Sequence, residues 1–309
     1  MRFERAEVTS PATIANFGPG FDSFGLCMES PVDRIRIRAA GDGARSVKVE
    51  GGHTLPEEPE ENCSSHAASR LAELSGRDDE GFDMTVVKGM KPGSGIGSSA
   101  ASSVGGALAM AAILGVDDRQ LVLEAAAMGE ELVSGTKHYD NVAAALYGGF
   151  TAVSDPRSNR ILRLKPPDFS IVVLLPDVAV ETRKARAVLP SEIPIEDAVY
   201  NMSLASGLID AMARKDIAGV CAHLDDRLSV PYRKALVPGY DSVKEQALKS
   251  GALGVSLAGS GPAIFAITSE SYAPEVRTAM VRALSESSGM ESESFVTVPG
   301  SGARVENVD

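Results

Sequence analysis

The sequence predicts a two-domain protein in which strands and helices are mixed along the chain. Its 309 residues are enough for two domains of ordinary size, each with its own core. Apolar and polar residues alternate at 3–9 and 32–38, as they do in half-buried strands. The alanine-rich run from Ser98 to Leu114 is typical of a buried helix, and Gly115 offers its C-cap.

Composition excludes several classes of function. The hydrophobic content of 44% with 23% charged residues is typical of a globular protein, and the net charge of −12 argues against nucleic acid or an anionic membrane as partner. No apolar run approaches the length of a membrane span, and the N-terminus lacks a signal-peptide core, so we expect a cytoplasmic protein. Cys27, Cys63 and Cys221 are isolated and predict neither a disulfide framework nor a zinc site.

The remaining elements follow from periodicity and turn residues. Further strands are predicted at 46–49, 82–88, 161–164, 170–175, two within 254–267, and a last one at 295–298. Helices are predicted at 62–74, 117–133, 195–213, 217–224, 240–249 and 274–287, with a short one after His138. The turn cluster Asp155–Asn159 predicts the junction between an ATP-binding domain, 1–156, and a second domain, 157–309.

The segment 91–102, K-P-G-S-G-I-G-S-S-A-A-S, predicts an anion site. Its three glycines let the backbone adopt positive φ, and Ser98 or Ser99 can begin the helix that follows. A glycine loop at a helix N-terminus presents free N–H groups and the positive end of the helix dipole, which usually bind phosphate. The spacing matches neither the Walker A loop nor the dinucleotide-binding glycine turn. The alternative is a flexible turn before a buried helix.

This loop resembles the ATP-phosphate loop of the GHMP kinases, whose usual pattern is P-x-x-x-G-L-G-S-S-A-A. The resemblance implies an α+β protein with an N-terminal domain like ribosomal S5 domain 2 and a ferredoxin-like C-terminal domain. ATP and substrate would meet at their junction. The residues that the resemblance assigns to ATP are Asn62, near the adenosine, and Lys91, Pro92, Gly93, Ser94, Gly95, Ile96, Gly97, Ser98, Ser99, Ala100, Ala101 and Ser102.

Two further segments resemble the homoserine-kinase branch of that family. Residues 11–26 are similar to P-A-T-x-A-N-x-G-P-G-F-D-x-x-G; by spacing alone they would be an ordinary hairpin connection. The resemblance places Asn16 and Asp22 near the amino and hydroxyl ends of L-homoserine. Residues 136–150 are similar to H-A-D-N-V-A-P-A-L-x-G-G-F, and their two departures avoid the proposed contact residues.

This second segment supplies three candidate substrate residues. The resemblance assigns His138 to the substrate, Asp140 to its ammonium group and Asn141 to its hydroxyl group. Mevalonate kinases have a catalytic Asp at the position of Asn141, and an amide cannot act as that base. No obligatory general base is therefore assigned, and the hydroxyl proton can pass directly to a phosphate oxygen; Asp22 and Asp140 are the carboxylates that could contradict this.

The substrate carboxylate is assigned to arginines. The segment T-R-K-A-R-A-V-L-P is similar to a T-x-x-A-R-x-x-L-P pattern that implies Thr182 and Arg186 at the active site, with Arg183 as the alternative in register. Arg233 is expected as a second guanidinium, since two such groups suit bidentate carboxylate recognition. Gly259 belongs to a G-S-G turn that resembles the third motif of the family.

The metal is assigned to the end of the helix at 117–133. Glu130 and Glu131 lie where the helix dipole does not favour carboxylates, and a solvated acidic turn is the simpler explanation. The resemblance implies instead that Glu130, favoured over Glu131 on register, binds Mg²⁺ together with Ser98. Magnesium typically takes one or two protein oxygens, with phosphate and water completing its shell.

Together these assignments predict Mg²⁺-dependent transfer of phosphate from ATP to L-homoserine, a step of threonine biosynthesis, by a cytoplasmic homodimer. The catalytic candidates are Asn141, Asp22, Asp140 and Glu130. One alternative is a GHMP kinase for shikimate or mevalonate, substrates that offer no ammonium group to Asp140. The other is a non-catalytic relative that binds nucleotide or amino acid, against which the intact Ser98, Glu130 and Asn141 argue.

Overall fold

The computed structural model describes residues 3–41 and 43–309, with the side chain of Thr182 outside the described part. The strands are β1 (Arg5–Ala15), β2 (Phe24–Ala40), β3 (Arg45–Glu50), β4 (Gly81–Val87), β5 (Phe150–Asp155), β6 (Arg160–Leu164), β7 (Ser170–Pro176), β8 (Gly254–Leu257), β9 (Ile264–Thr268), β10 (Ser292–Thr297) and β11 (Arg304–Val308). The helices are α1 (Cys63–Leu74), α2 (Ser98–Leu114), α3 (Arg119–Ser134), α4 (Tyr139–Tyr147), α5 (Thr182–Ala187), α6 (Ile195–Arg214), α7 (Ile217–Ala222), α8 (Val230–Arg233), α9 (Tyr240–Lys249) and α10 (Ala273–Ser288). Within these ranges, no helix combines the length and the apolar composition needed to cross a membrane.

The first sheet carries the predicted phosphate loop. Its strand order is β11-β1-β2-β4-β3, and β5 pairs with both β2 and β6. Only β3 and β4 run parallel; the other pairs are antiparallel. The alternation in β2 buries Ile35 and Ile37 while Arg34, Arg36 and Arg38 face solvent. The buried face packs on α2, which α1 and α3 cover in turn.

The second sheet has the order β10-β7-β9-β8, with every pair antiparallel. Strand β7 is buried on both faces, as its continuous apolar run predicts. Ile171 and Val173 belong to one core with residues of α6 and α7, whereas Val172 and Leu174 belong to another with α9 and α10. The helices therefore lie on both sides of this sheet.

Three aromatic rings join the sheets. Phe17, in the loop after β1, stacks on Phe265 of β9 with 5.4 Å between ring centroids. It also meets Phe150 of β5 edge to face at 5.9 Å. All three rings are fully buried, so the loop after β1 is held between the two halves of the molecule.

Most predicted elements are confirmed, but the long connection at 11–26 is wrong. Both flanking strands continue into it, and Thr13 pairs with Cys27 across a bulge in the β1–β2 ladder. The loop between β1 and β2 therefore spans residues 16–23. The predicted glycine turn is present in this loop. The predicted loop was too long because Pro and Gly, which are typical of turns, are also tolerated at a bulge within a strand.

The strand predicted as the last one is followed by a further strand, and β5 was not predicted. The strand predicted at 295–298 is β10, and β11 follows it to pair with β1 in the first sheet. This pairing joins residues almost a whole chain length apart, so a local pattern cannot reveal it. The predicted boundary at 156/157 falls in the turn between β5 and β6, both in the first sheet. We propose that the first domain extends through Leu164 and regains β11.

Candidate active site

The predicted phosphate loop depends on two glycines for close backbone approach. Gly95 and Gly97 have φ of 84° and 68°. A Cβ on Gly95 would lie 2.6 Å from the Gly261 carbonyl oxygen, and one on Gly97 would overlap the Thr13 hydroxyl. The N-cap residue of α2 is Gly97, which supplies no side-chain cap, so the prediction of Ser98 or Ser99 as the N-cap is wrong. The first N–H groups of α2 are therefore available to an anion.

A buried ion pair lies beneath this helix start. Lys88 Nζ contacts the Asp33 carboxylate, and both side chains are almost completely inaccessible. The same ammonium group donates to the carbonyl oxygen and the hydroxyl of Ser98, at 3.1 and 2.9 Å, and to Ser102 Oγ at 2.9 Å. Ser102 Oγ in turn donates to Asp33 at 2.7 Å. The hydroxyl of Ser98 is therefore held by a charged partner.

Glu130 lines the cavity with a buried carboxylate group. Its side chain is buried, and Oε1 accepts from His138 Nδ1 at 3.3 Å. Oε2 is buried and has no hydrogen-bond partner among the described residues. A buried carboxylate oxygen in this condition fits a bound cation. Glu131 is exposed, so the structure places Glu130, the residue favoured on register, in the site.

His138 and Asp140 are two coupled titratable groups. Burial lowers the pKa of His138, but its hydrogen bond to Glu130 and the charges of Asp140 and Glu130 raise that pKa above its ordinary value. Burial raises the pKa of the Asp140 carboxyl to about 6, and the charge of His138 opposes the rise. Asp140 Oδ1 accepts from the backbone N–H of Asn141 at 2.8 Å.

The G-S-G turn organises two distant side chains. The Gly259 carbonyl accepts from Asn16 Nδ2 and from Arg233 Nη1, each at 3.0 Å. The Arg233 guanidinium is buried and also donates to the Ala185 carbonyl at 3.1 Å. Burial lowers the pKa of Arg233, and the charge of Asp22 partly restores it. Asn16 itself adopts a left-handed φ of 64° and accepts from the Asp22 N–H at 3.0 Å.

Arg186, rather than Arg183, contacts the predicted substrate residues. Its guanidinium donates to the carboxylate of Asp22 and lies over the Phe21 ring, 5.7 Å from the centroid. Arg233 lies over the same ring at 5.2 Å. Arg183 is exposed, although it also borders the cavity. The Phe21 ring therefore contacts both guanidinium groups that line the cavity.

A single cavity of about 610 Å³ brings these groups together. Its volume suits a nucleotide with a small second substrate. The predicted site residues that line it are Asn16, Asp22, Pro92, Gly93, Gly95, Gly97, Ser98, Ser99, Ser102, Glu130, His138, Asp140, Asn141, Arg186, Arg233 and Gly259.

Six predicted ATP residues do not line the cavity. Lys91 pairs with exposed Asp177 at 2.9 Å, and Asn62 caps α1, accepting from the Ser64 N–H at 3.0 Å. The others turn their side chains away from the cavity: Ser94, Ile96, Ala100 and Ala101. The side chain of Thr182 lies outside the described residues.

Sequence analysis missed Lys88, Asp33 and Thr13. The first two had a usable signal. Asp33 shares the inward-facing phase of Ile35 and Ile37 in β2, and Lys88 follows Val86 in the same way. Two opposite charges at inward positions of neighbouring strands indicate a buried pair. Thr13 is a fixed position of the P-A-T-x-A-N pattern, but a buried threonine in a strand is ordinary, so that position did not indicate its contact with Asn141.

Known proteins resemble the chain over nearly its whole length. Residues 62–149 match the GHMP kinases N terminal domain, and 208–286 match the GHMP kinases C terminal domain. The homoserine kinase of Thermococcus gammatolerans is 44% identical over 292 residues, which are 94% of this chain and 97% of that protein. The crystal structure of homoserine kinase from Cytophaga hutchinsonii superposes with a TM-score of 0.91 at 34% identity, covering 98% of this chain and 97% of the other. The L. major mevalonate kinase in complex with R-mevalonate shares the fold, at a TM-score of 0.73 and 15% identity, over 95% of both chains.

Proposed function

The chain belongs to the GHMP kinases, and we propose that it transfers the γ-phosphoryl group of ATP to the hydroxyl of L-homoserine, a step of threonine biosynthesis. The observation that carries this proposal is the cavity itself. It joins the start of α2, the partnerless oxygen of Glu130, and a set of opposite charges suited to a small amino acid. The 44% identity to a homoserine kinase over 94% of the chain supports the same substrate.

The start of α2 holds the phosphates. The glycine loop lets them approach the backbone, and the N–H groups of Ser98 and Ser99 donate to their oxygens. The buried pair of Lys88 and Asp33 keeps this helix start rigid from below. Phosphoryl transfer depends mainly on such positioning and on neutralising charge.

Glu130 and the Ser98 hydroxyl are the residues that would hold Mg²⁺. The buried Oε2 atom of Glu130 is suited to a cation, and His138 holds the other oxygen of the carboxylate in place. When bound, the cation would neutralise negative charge on the phosphate oxygens. Lys88 donates to Ser98 Oγ, which fixes the direction in which the hydroxyl presents its remaining lone pair.

The second half of the cavity carries charges of both signs for the ammonium and carboxylate groups, which homoserine carries on the same carbon. Asp140 and Asp22 attract the ammonium group, while Arg186 and Arg233 attract the carboxylate. Both guanidiniums are already oriented, Arg233 by two carbonyl oxygens and Arg186 by Asp22. Asn141 then places the substrate hydroxyl toward the phosphates. No side chain is required as a general base, because the hydroxyl proton passes to a phosphoryl oxygen.

The test is a substrate panel. The purified protein is incubated with ATP, Mg²⁺ and, separately, L-homoserine, L-serine, L-threonine, shikimate or mevalonate, and ADP release is measured. We expect rapid turnover with homoserine, and a rate lower by about 10²- to 10³-fold with Glu130→Gln purified in the same way, which excludes contaminating kinases. Turnover only with shikimate or mevalonate would overturn the substrate assignment. ATP binding without turnover of any compound would contradict the catalytic assignment.

The proposal extends to the assembly and location of the protein. We propose a cytoplasmic homodimer with no nucleic-acid or membrane partner. The net charge of −12 supports the lack of these partners, since both attract basic surfaces. Sedimentation equilibrium tests the dimer: a mass near twice 32.2 kDa is expected, and a monomer at micromolar concentration would contradict it.

A further inference from the structure

One fully buried hydroxyl connects the phosphate half of the cavity to the substrate half. Thr13, near the end of β1, donates from Oγ1 to Oδ1 of Asn141 at 2.7 Å. Its backbone N–H donates to the Ile96 carbonyl in the phosphate loop at 3.0 Å. Gly97 lies so close that any Cβ there would overlap the Thr13 hydroxyl. Thr13 therefore fixes the distance between the phosphate loop and Asn141.

We infer that Thr13 is a positioning residue that sets which end of the Asn141 amide faces the cavity. The Thr13 donor engages the amide oxygen, which leaves the amide nitrogen to the cavity that Asn141 lines. An amide nitrogen only donates hydrogen bonds, whereas an amide oxygen only accepts them. The inference rests on the proposed function, because the group that the amide nitrogen of Asn141 would contact is the hydroxyl of the substrate.

The direction of the amide decides how the substrate hydroxyl is oriented. Asn141 Nδ2 donates to the attacking hydroxyl oxygen and orients its lone pair toward phosphorus. A bond forms between this oxygen and the γ-phosphorus, and the bond from that phosphorus to the β,γ-bridging oxygen breaks, its electron pair leaving with ADP. The hydroxyl proton transfers to an oxygen of the moving phosphoryl group, since an amide cannot act as its base.

The test compares Thr13→Val, which removes the hydroxyl, with Thr13→Ser, which keeps it. Outer partners that orient a ligating group typically change activity by about 10- to 100-fold when removed. We expect Thr13→Val to lower kcat for homoserine by about that factor, with the KM for ATP nearly unchanged. Thr13→Ser should retain most of the wild-type kcat, although it loses the packing methyl group that Thr13→Val keeps.

A double variant separates positioning from packing. If Thr13 acts through Asn141, Thr13→Val should cost no further kcat in an Asn141→Ala background. Wild-type kcat in Thr13→Val would overturn the inference, as would an equal loss in Thr13→Val and Thr13→Ser that tracks a lower Tm. Should Thr13→Val fail to fold, Thr13→Ala replaces it.

The proposed function and the inference about Thr13 can be tested separately. If the wild-type protein does not turn over homoserine, the substrate assignment falls. The side-chain amide of Asn141 then provides the readout by ¹⁵N NMR, with its resonances identified by their loss in Asn141→Ala. Thr13→Val is expected to shift these resonances and Thr13→Ser to leave them in place; unchanged resonances in Thr13→Val would overturn the inference.

Discussion

Arg186 donates from one guanidinium nitrogen to both carboxylate oxygens of Asp22, at 3.0 and 2.9 Å. The two residues are 164 positions apart, one in the loop after β1 and the other in α5. From the sequence, Asp22 was assigned to the amino and hydroxyl ends of the substrate and Arg186 to its carboxylate. Because they contact each other, the groups that bind the ammonium and the carboxylate of homoserine lie close together. A bound zwitterion can replace this contact, with its carboxylate at Arg186 and its ammonium group at Asp22.

The first prediction is that Arg186→Ala raises the KM for homoserine by about 10- to 100-fold, since a hydrogen bond to a charged group contributes roughly 1.5–3 kcal/mol. The free energy of unfolding should change little, because both side chains are about 40% exposed and such pairs stabilise weakly. Initial-rate kinetics measure the effect. Lys184→Ala is the matched control: it removes a charge from the same helix, where Lys184 pairs with Glu181. Equal KM values in both variants would contradict the assignment.

The second prediction concerns Glu130. We expect Glu130→Gln to lower kcat by about 10²- to 10³-fold, a typical loss when one electrostatic element of a transition state is removed. The Mg²⁺ concentration for half-maximal activity should also rise, because Oε2 is the buried oxygen without a protein partner. A magnesium titration of the rate measures both. Glu131→Gln, at the exposed neighbouring position, should behave as wild type; the opposite result would move the metal site to Glu131.

The third prediction is a pH dependence from Asp140. Its pKa is raised to about 6 by burial, so the carboxylate that attracts the ammonium group is lost below that pH. We expect kcat/KM for homoserine to fall about tenfold per pH unit below 6, since this ratio reports ionisation of the free enzyme. Asp140→Asn should have a low ratio that no longer responds to this ionisation. A falling limb that persists in Asp140→Asn would assign the group elsewhere.

The raised pKa of Asp140 also predicts the direction in which the stability of the fold changes with pH. Because the folded protein binds this proton more tightly than the unfolded chain, the contribution of Asp140 is most favourable at low pH and declines as pH rises from about 4 to 6. Urea unfolding of wild type and Asp140→Asn should therefore show that the variant gains relative stability across that window. A difference that is constant with pH would show that the carboxyl has an ordinary pKa when folded.

The fourth prediction concerns the pair of Lys88 and Asp33. Lys88→Met should lower the free energy of unfolding by about 3–5 kcal/mol, because it leaves a buried carboxylate without its counter-charge. Lys91→Met is the control, since Lys91 forms an exposed pair with Asp177 whose loss should cost at most about 1 kcal/mol. Urea unfolding measures both. Adding Asp33→Asn to Lys88→Met should restore part of the stability; a further large loss would contradict the charge-pair explanation.

The features that sequence reasoning located were local ones. The helix from Ser98 to Leu114 has the predicted bounds, because its glycine loop, its alanines and Gly115 all act within a few residues. Asp140 and Asn141 were found together because four adjacent residues carry their pattern. The choice of Glu130 over Glu131 was only a matter of register, which the structure decides: successive helix residues are about 100° apart, so one is buried and the other exposed.

The sequence by itself thus determined where the phosphate loop begins, which short segments carry the candidate groups, and the family to which they belong. Only the tertiary structure decided that Thr13 engages Asn141, that Arg186 meets Asp22, and that β11 returns to β1. The physical reason is the sequence separation over which each kind of interaction acts. Backbone periodicity and turn chemistry depend on neighbouring residues, whereas these contacts depend on how two sheets and their helices pack around a shared core.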